Sequence, residues 1–232
     1  MKDIVPELLE KIQKDFENSV NNNAEIARLR KLIESREGSY IEAEEISKEI
    51  GAELSQAFGN NLSSATLPDG KMYFNIADRT VKPLLEEGYL MATQDAMAVQ
   101  KILNERAGIG LKVQQPEIDS ERVAGLIDSL VSADQFDDIA WLLKDPLINF
   151  MLSAVTDVVR ENFEFHGKAG LNPKIVRTAE RKCCKWCRSL AGTYSYPVEN
   201  DDVFRRHQRC QCTVIYDQGD GLRENVHTKK RV

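Results

Sequence analysis

Cys183-Cys184-Lys185-Trp186-Cys187, followed after nineteen residues by His207-Gln208-Arg209-Cys210-Gln211-Cys212, contains every cysteine of this 232-residue chain. An odd count, clustered rather than spread, argues against a secreted disulfide framework and for metal binding in a reducing compartment. Cys184 and Cys187 form a C-x-x-C knuckle, a spacing that lets two sulfurs converge on one ion while the intervening backbone N–H groups face the thiolates. His207, Cys210 and Cys212 supply the second half. Any two of them, joined to the knuckle, complete the four ligands that zinc prefers in a closed site. Neighbouring Lys and Arg residues favour the thiolate forms and offset their charge. Which four of Cys184, Cys187, His207, Cys210 and Cys212 ligate stays open at this point.

Other readings of the same residues are weaker. A thioredoxin-like pair also uses C-x-x-C, but it follows a βαβ pattern, and the preceding sequence reads as helices. A reduced cluster without metal is the plainer alternative. Cys183 then packs as a small hydrophobe, and His207 serves as a capping group. A structural zinc fits better than a catalytic one. Four or five donors fill the shell, whereas catalytic zinc keeps a position open. The acidic residues nearby, Glu199, Asp201 and Asp202, fall in a loop.

Upstream, the pattern changes character. Ile4, Leu8, Leu9, Ile12 and Phe16 recur at helical spacing, with Asp3 as a cap, and Asn21-Asn22-Asn23 ends the run. Ile26, Leu29, Leu32 and Ile33 mark a second helix, closed at Gly38-Ser39. Ala43, Ile46, Ile50, Leu54 and Phe58 mark a third. A helical region follows over residues 75–106, where Pro83 and Gly88 are expected to kink or divide it. Helices are also expected from Ser120 and from Ala133-Asp134, the latter placing Trp141 at core spacing. Leu147 to Phe163 is apolar on more than one face and reads as the centre of the bundle.

At Phe165-His166-Gly167-Lys168-Ala169-Gly170 composition and charge sign both change, which reads as a linker. Up to residue 164 there are 17 Lys and Arg against 30 Asp and Glu, and beyond it 14 against 7. Short elements follow: strands at Lys174–Ala179, Gly192–Tyr196 and Thr213–Tyr216, and a helix at Lys185–Leu190. The expected fold is mainly α: a helical body over 1–164, then a small α+β zinc-stapled module over 165–218 and a basic tail over 219–232. Trp186 is expected against Tyr194 or Tyr196. Arg205, Arg206 and Arg209 read as solvated partners of Asp201 and Asp202, and His166 has no matching constellation. No run approaches twenty uninterrupted apolar residues and the N-terminus lacks a secretory h-region, so a cytoplasmic protein is expected.

The run Cys184-x-x-Cys187-Arg188-Ser189-Leu190-Ala191-Gly192-Thr193-Tyr194, with His207-x-x-Cys210-Gln211-Cys212-Thr213-Val214, resembles the C-terminal module of tailed-phage minor head proteins. These are the Mu-type head morphogenesis (minor capsid) proteins of phages and prophages. The ending from Tyr216 to Lys230 is similar to the tail that follows the motif there. Gln208 stands where the family has Pro, and Gln211 where it has Arg; neither change removes a donor. The resemblance covers about residues 174–230. It implies a non-enzymatic virion component, made in the bacterial cytoplasm, associated with portal and capsid or scaffold proteins, and packaged in the head with structural Zn2+. Contact with DNA through the basic module is a further implication. The competing expectations are a zinc-dependent phage-borne nuclease or effector, and a zinc-ribbon module that binds nucleic acid.

Overall fold

The computed structural model describes residues 3–207 and 210–217, together with the backbone pairing of 224–225 and 230–231. Helix α1 (Val5–Asn22) begins where Asp3 accepts the Val5 N–H at 3.1 Å. The asparagine run then serves two helices. Asn22 ends α1, and the Asn23 side chain caps α2 (Ala24–Glu34) by accepting from the N–H groups of Glu25 and Ile26. Ser39 and Glu42 form a reciprocal capping box that starts α3 (Tyr40–Asn61). Helix α4 (Phe74–Arg106) runs unbroken through Pro83 and Gly88, so the expected division does not occur. Val81, Leu84, Leu85 and Tyr89 are buried around the proline, and that packing outweighs the lost hydrogen bond. Helix α5 (Ser120–Leu130) is capped by Asp119.

The expected helix from Ala133 is reduced to α6 (Phe136–Ile139) and a 3-10 turn, Ala140–Leu143. Helical spacing therefore fails there, and Trp141 is 48% exposed rather than in the core. Helix α7 (Asp145–Lys168) packs against both α3 and α4. The stretch Phe136–Lys168 is apolar enough by length and composition to match a membrane span, but in this fold it lines the core. Leu147, Met151, Ala154, Val155, Val158 and Val159 are all fully buried. Contact between α3 and α7 is close because Gly51 lacks a side chain. A Cβ there would lie 2.9 Å from the Ile148 Cα.

The expected linker is the last turn of α7. The helix continues to Lys168 and ends at Gly170, whose φ of +86° suits only glycine comfortably. Gly167 is not a breaker. It leaves room for the Tyr196 ring, which a Cβ would penetrate.

Beyond α7 the chain forms a three-stranded antiparallel sheet in the order β2-β1-β3, from β1 (Lys174–Thr178), β2 (Gly192–Ser195) and β3 (Thr213–Asp217). Helix α8 (Lys185–Ser189) lies between β1 and β2. Strand β3 packs on α3 and α7, and Ile175, Val203, Phe204, Val214 and Ile215 join the same apolar core as the helices. The chain is thus mainly helical, with a small sheet and a cysteine–histidine cluster near its C-terminus. The segments 224–225 and 230–231 pair antiparallel as β4 and β5; the rest of the expected basic tail lies outside the described residues.

His166, assigned to a linker from the sequence, is fully buried, and its Nδ1 lies 2.7 Å from the Tyr216 hydroxyl. Burial holds its pKa below the ordinary value of 6.5. A base with a depressed folded-state pKa takes up its proton more readily when unfolded. Stability should therefore fall as pH drops from about 6.5 toward the folded-state value. Denaturant midpoints near pH 7.5 and 5.5 should differ more in the native protein than in His166→Gln. Equal pH slopes would show that His166 does not carry the effect.

Candidate metal centre

Cys184 precedes α8, and its Sγ accepts the Cys187 N–H at 3.4 Å. That hydrogen bond draws its thiol pKa below the ordinary value. One helical turn on, the Cys187 side chain points inward and is fully buried. From the other side, the loop after the 3-10 turn Asp201–Phe204 brings in His207, and the segment leading into β3 brings in Cys210 and Cys212, both buried. The structure therefore gathers all five donors singled out from the sequence. They form two overlapping triads, Cys184–Cys187–His207 and Cys187–Cys210–Cys212, each with its donor atoms within 4.8 Å of one another. Cys183 only packs against the cluster and belongs to neither triad.

The separations suit a shared cation. The Cys187 Sγ lies 3.0 Å from the His207 Nε2 and 3.6 Å from the Cys210 Sγ, and the Cys184 Sγ lies 3.3 Å from the same imidazole nitrogen. Tetrahedral ligands with metal–sulfur bonds of about 2.3 Å and metal–nitrogen bonds of about 2.0 Å sit roughly 3.5–3.8 Å apart, so the two sulfurs are at ligand spacing and the imidazole nitrogen sits inside it. The donor chemistry agrees. Burial pushes the Cys187 and Cys212 thiols up, because thiolates crowded in an apolar site repel and desolvate one another. A bound cation reverses that balance, since its charge is what lets the sulfurs ionise together. The two triads could hold a metal ion.

The loop carrying His207 is fastened to the helices. The Asn149 side chain of α7 donates to the His207 carbonyl. Arg206, whose side chain is 2% exposed, pairs with Glu44 of α3 at 2.5 Å. It also donates to the Thr156 hydroxyl at 3.0 Å and to the Cys212 carbonyl at 2.8 Å. Arg206 is thus not a solvated partner of Asp201 or Asp202, as its neighbours in sequence imply. Arg205 does pair with Asp202, and Arg209 lies outside the described residues. Trp186 packs edge-on against His207, with 5.8 Å between ring centroids, rather than against Tyr194 or Tyr196 as expected.

Asn149 and Glu44 escape sequence reasoning altogether. Arg177 alone leaves a signal, as a charged residue two positions after Ile175 on the buried face of β1. A pocket of about 430 Å³ opens beside the cluster, rimmed by Glu180, Lys182, Cys184, His207 and Gln211. Its carboxylate is already engaged, because the Glu180 Oε2 accepts the Lys182 N–H at 2.8 Å. Comparison with protein-family models, curated proteins and solved structures found no match to this chain.

Proposed function

We propose that this chain is a non-enzymatic assembly protein whose cysteine–histidine cluster holds one structural Zn2+ ion. By the resemblance of its Cys184–Val214 motif, it acts as a minor head protein of a tailed phage. The observation that carries the zinc reading is the pair of donor triads that share Cys187: five donors, three of them buried sulfurs, held between α8, the His207 loop and the segment leading into β3. Thiolate-rich tetrahedral sets favour zinc over oxygen-seeking cations. The ligands are four drawn from Cys184, Cys187, His207, Cys210 and Cys212. The ion supplies cross-linking, and the chain's residues position and ionise the donors.

Several observations favour a structural role over a zinc-dependent nuclease. Asp201 pairs with Arg160, Asp202 with Arg205, and Glu180 caps its own turn, so these three nearby carboxylates are engaged. His166, the other described histidine, is buried against Tyr216. A nucleic-acid-binding ribbon is weakened in the same way, because the Arg206 guanidinium is sequestered by Glu44. On this reading the helical body docks on portal and capsid or scaffold proteins. The protein is made in the host cytoplasm and ends in the virion head, with DNA contact left to the exposed basic groups.

Protein purified without chelator should contain one zinc per chain. Native thiol titration should leave at most two of the five thiols reactive, and denaturation should release all five. Co-expression with the portal protein of the same phage should yield a complex that survives gel filtration. A metal-free protein with five reactive thiols in the native state would refute the zinc reading. Failure to associate with portal, procapsid or virion would refute the assembly role.

A further inference from the structure

Arg177 is among the largest buried side chains of the described residues, at 2% exposure, and it stands on the central strand of the sheet. It follows Ile175 by two residues, so both face the interior, where a strand pattern calls for an apolar residue. The guanidinium has few partners for a buried cation. One nitrogen donates to the Val203 carbonyl, another lies 3.9 Å from the Cys187 Sγ, and the group sits 5.7 Å above the Trp186 ring. Among the described residues its Nε has no hydrogen-bond partner. Glu44 is the nearby buried carboxylate, and it is committed to Arg206. A buried guanidinium facing neutral thiols would carry an uncompensated desolvation penalty. Facing thiolates around a divalent cation, it meets a net negative charge: one unit for three thiolates and a histidine, two for four thiolates.

We propose that Arg177 is the built-in counter-charge of the metal centre. It holds the Cys187 thiolate by a charge-assisted contact and lowers that sulfur's electron donation to the ion. The proposal rests on the zinc reading and adds to it a positioning residue that donates no ligand atom. Partners around a metal's ligands typically contribute 10–100-fold in metal affinity, and a fully buried guanidinium against a ligating sulfur belongs in that class.

The test is Arg177→Met in the full chain, with zinc affinity read by chelator competition and the site read again with Co2+ in place of zinc. Affinity should fall roughly 10–100-fold. The sulfur-to-cobalt charge-transfer band should move to longer wavelength, because a sulfur without the guanidinium holds its electrons less tightly. The band position decides between charge and packing, since loss of packing alone lowers affinity without altering sulfur electronics. A band that does not move overturns the proposal, whatever happens to affinity. Should Arg177→Met not fold, Arg177→Gln removes the charge while keeping a donor for the Val203 carbonyl, and the same criterion applies. Native protein that binds neither zinc nor Co2+ would instead refute the zinc reading and this inference with it.

Discussion

Serine at Cys187 is expected to abolish metal binding and to destabilise the protein by on the order of 5 kcal/mol, the exceptional end for one substitution. Cys187 is the member shared by both triads, and its sulfur is fully buried. Losing it leaves neither triad intact. Structural zinc contributes about 10–16 kcal/mol of apparent binding free energy in small zinc-finger peptides, which have little else to hold them. Here Ile175, Val203, Phe204 and Val214 also anchor the sheet to the helical core, so the loss should be smaller than in those peptides.

The measurements are zinc content and guanidinium unfolding followed by far-ultraviolet circular dichroism. Chelator should bring the native protein to the stability of Cys187→Ser and leave that variant unchanged. Cys183→Ser, which lies outside both triads, should keep its zinc and lose about 1 kcal/mol or less. Serine at Cys184 and at Cys212, made separately, identifies which triad supplies the fourth ligand. Retention of one zinc per chain by Cys187→Ser would refute the shared-donor geometry.

What could be read from the residues follows the range of the interactions involved. Ile12 and Phe16 at helical spacing, and C-x-x-C at knuckle spacing, are local patterns, and both appear in the structure as expected. The strands at β1, β2 and β3 were legible within a residue or two, because their termini coincide with turn chemistry. Trp141 misleads because its apolar spacing presumes an α-helix, whereas the chain there tightens into a 3-10 turn and rotates the indole outward.

Gly167 misleads for another reason. Glycine near a charge transition resembles a break, but here its missing side chain accommodates Tyr196 from 29 residues further on. Arg206 sits beside acidic residues in sequence and bonds instead to a glutamate 162 residues away. The five donors were therefore legible as a set. The residues that fasten and neutralise that set were not, since each acts across a fold that no local pattern encodes.

Arg206→Ala should cost about 3–5 kcal/mol, the range expected when one member of a buried ion pair is removed. Both partners are sealed, at 2% and 9% side-chain exposure, so water cannot replace the lost guanidinium at Glu44. Burial already pushes the Glu44 carboxyl above its ordinary value, and Arg206 opposes that push. Without Arg206 the folded-state pKa of Glu44 rises further. An acid with a raised folded-state pKa binds its proton more readily when folded, so its unfavourable contribution builds as pH rises from the ordinary value of 4.5 and is complete at the folded-state value. The deficit of Arg206→Ala should therefore be smaller near pH 5 and grow toward pH 7.

Replacing both partners, Glu44→Leu with Arg206→Met, should recover most of the loss, because an apolar pair escapes the desolvation that the ions suffer. Recovery should stay incomplete by about 1 kcal/mol for each hydrogen bond from Arg206 to the Thr156 hydroxyl and the Cys212 carbonyl. The Thr156 bond ties the His207 loop to α7 and the Cys212 bond ties it to the segment before β3, so Arg206→Ala should also release zinc to a chelator faster than the native protein does. A double-mutant cycle on unfolding free energies measures the coupling directly. Additive single effects, or a cost for Arg206→Ala under about 1 kcal/mol, would mean that this pair does not hold the module to the helices.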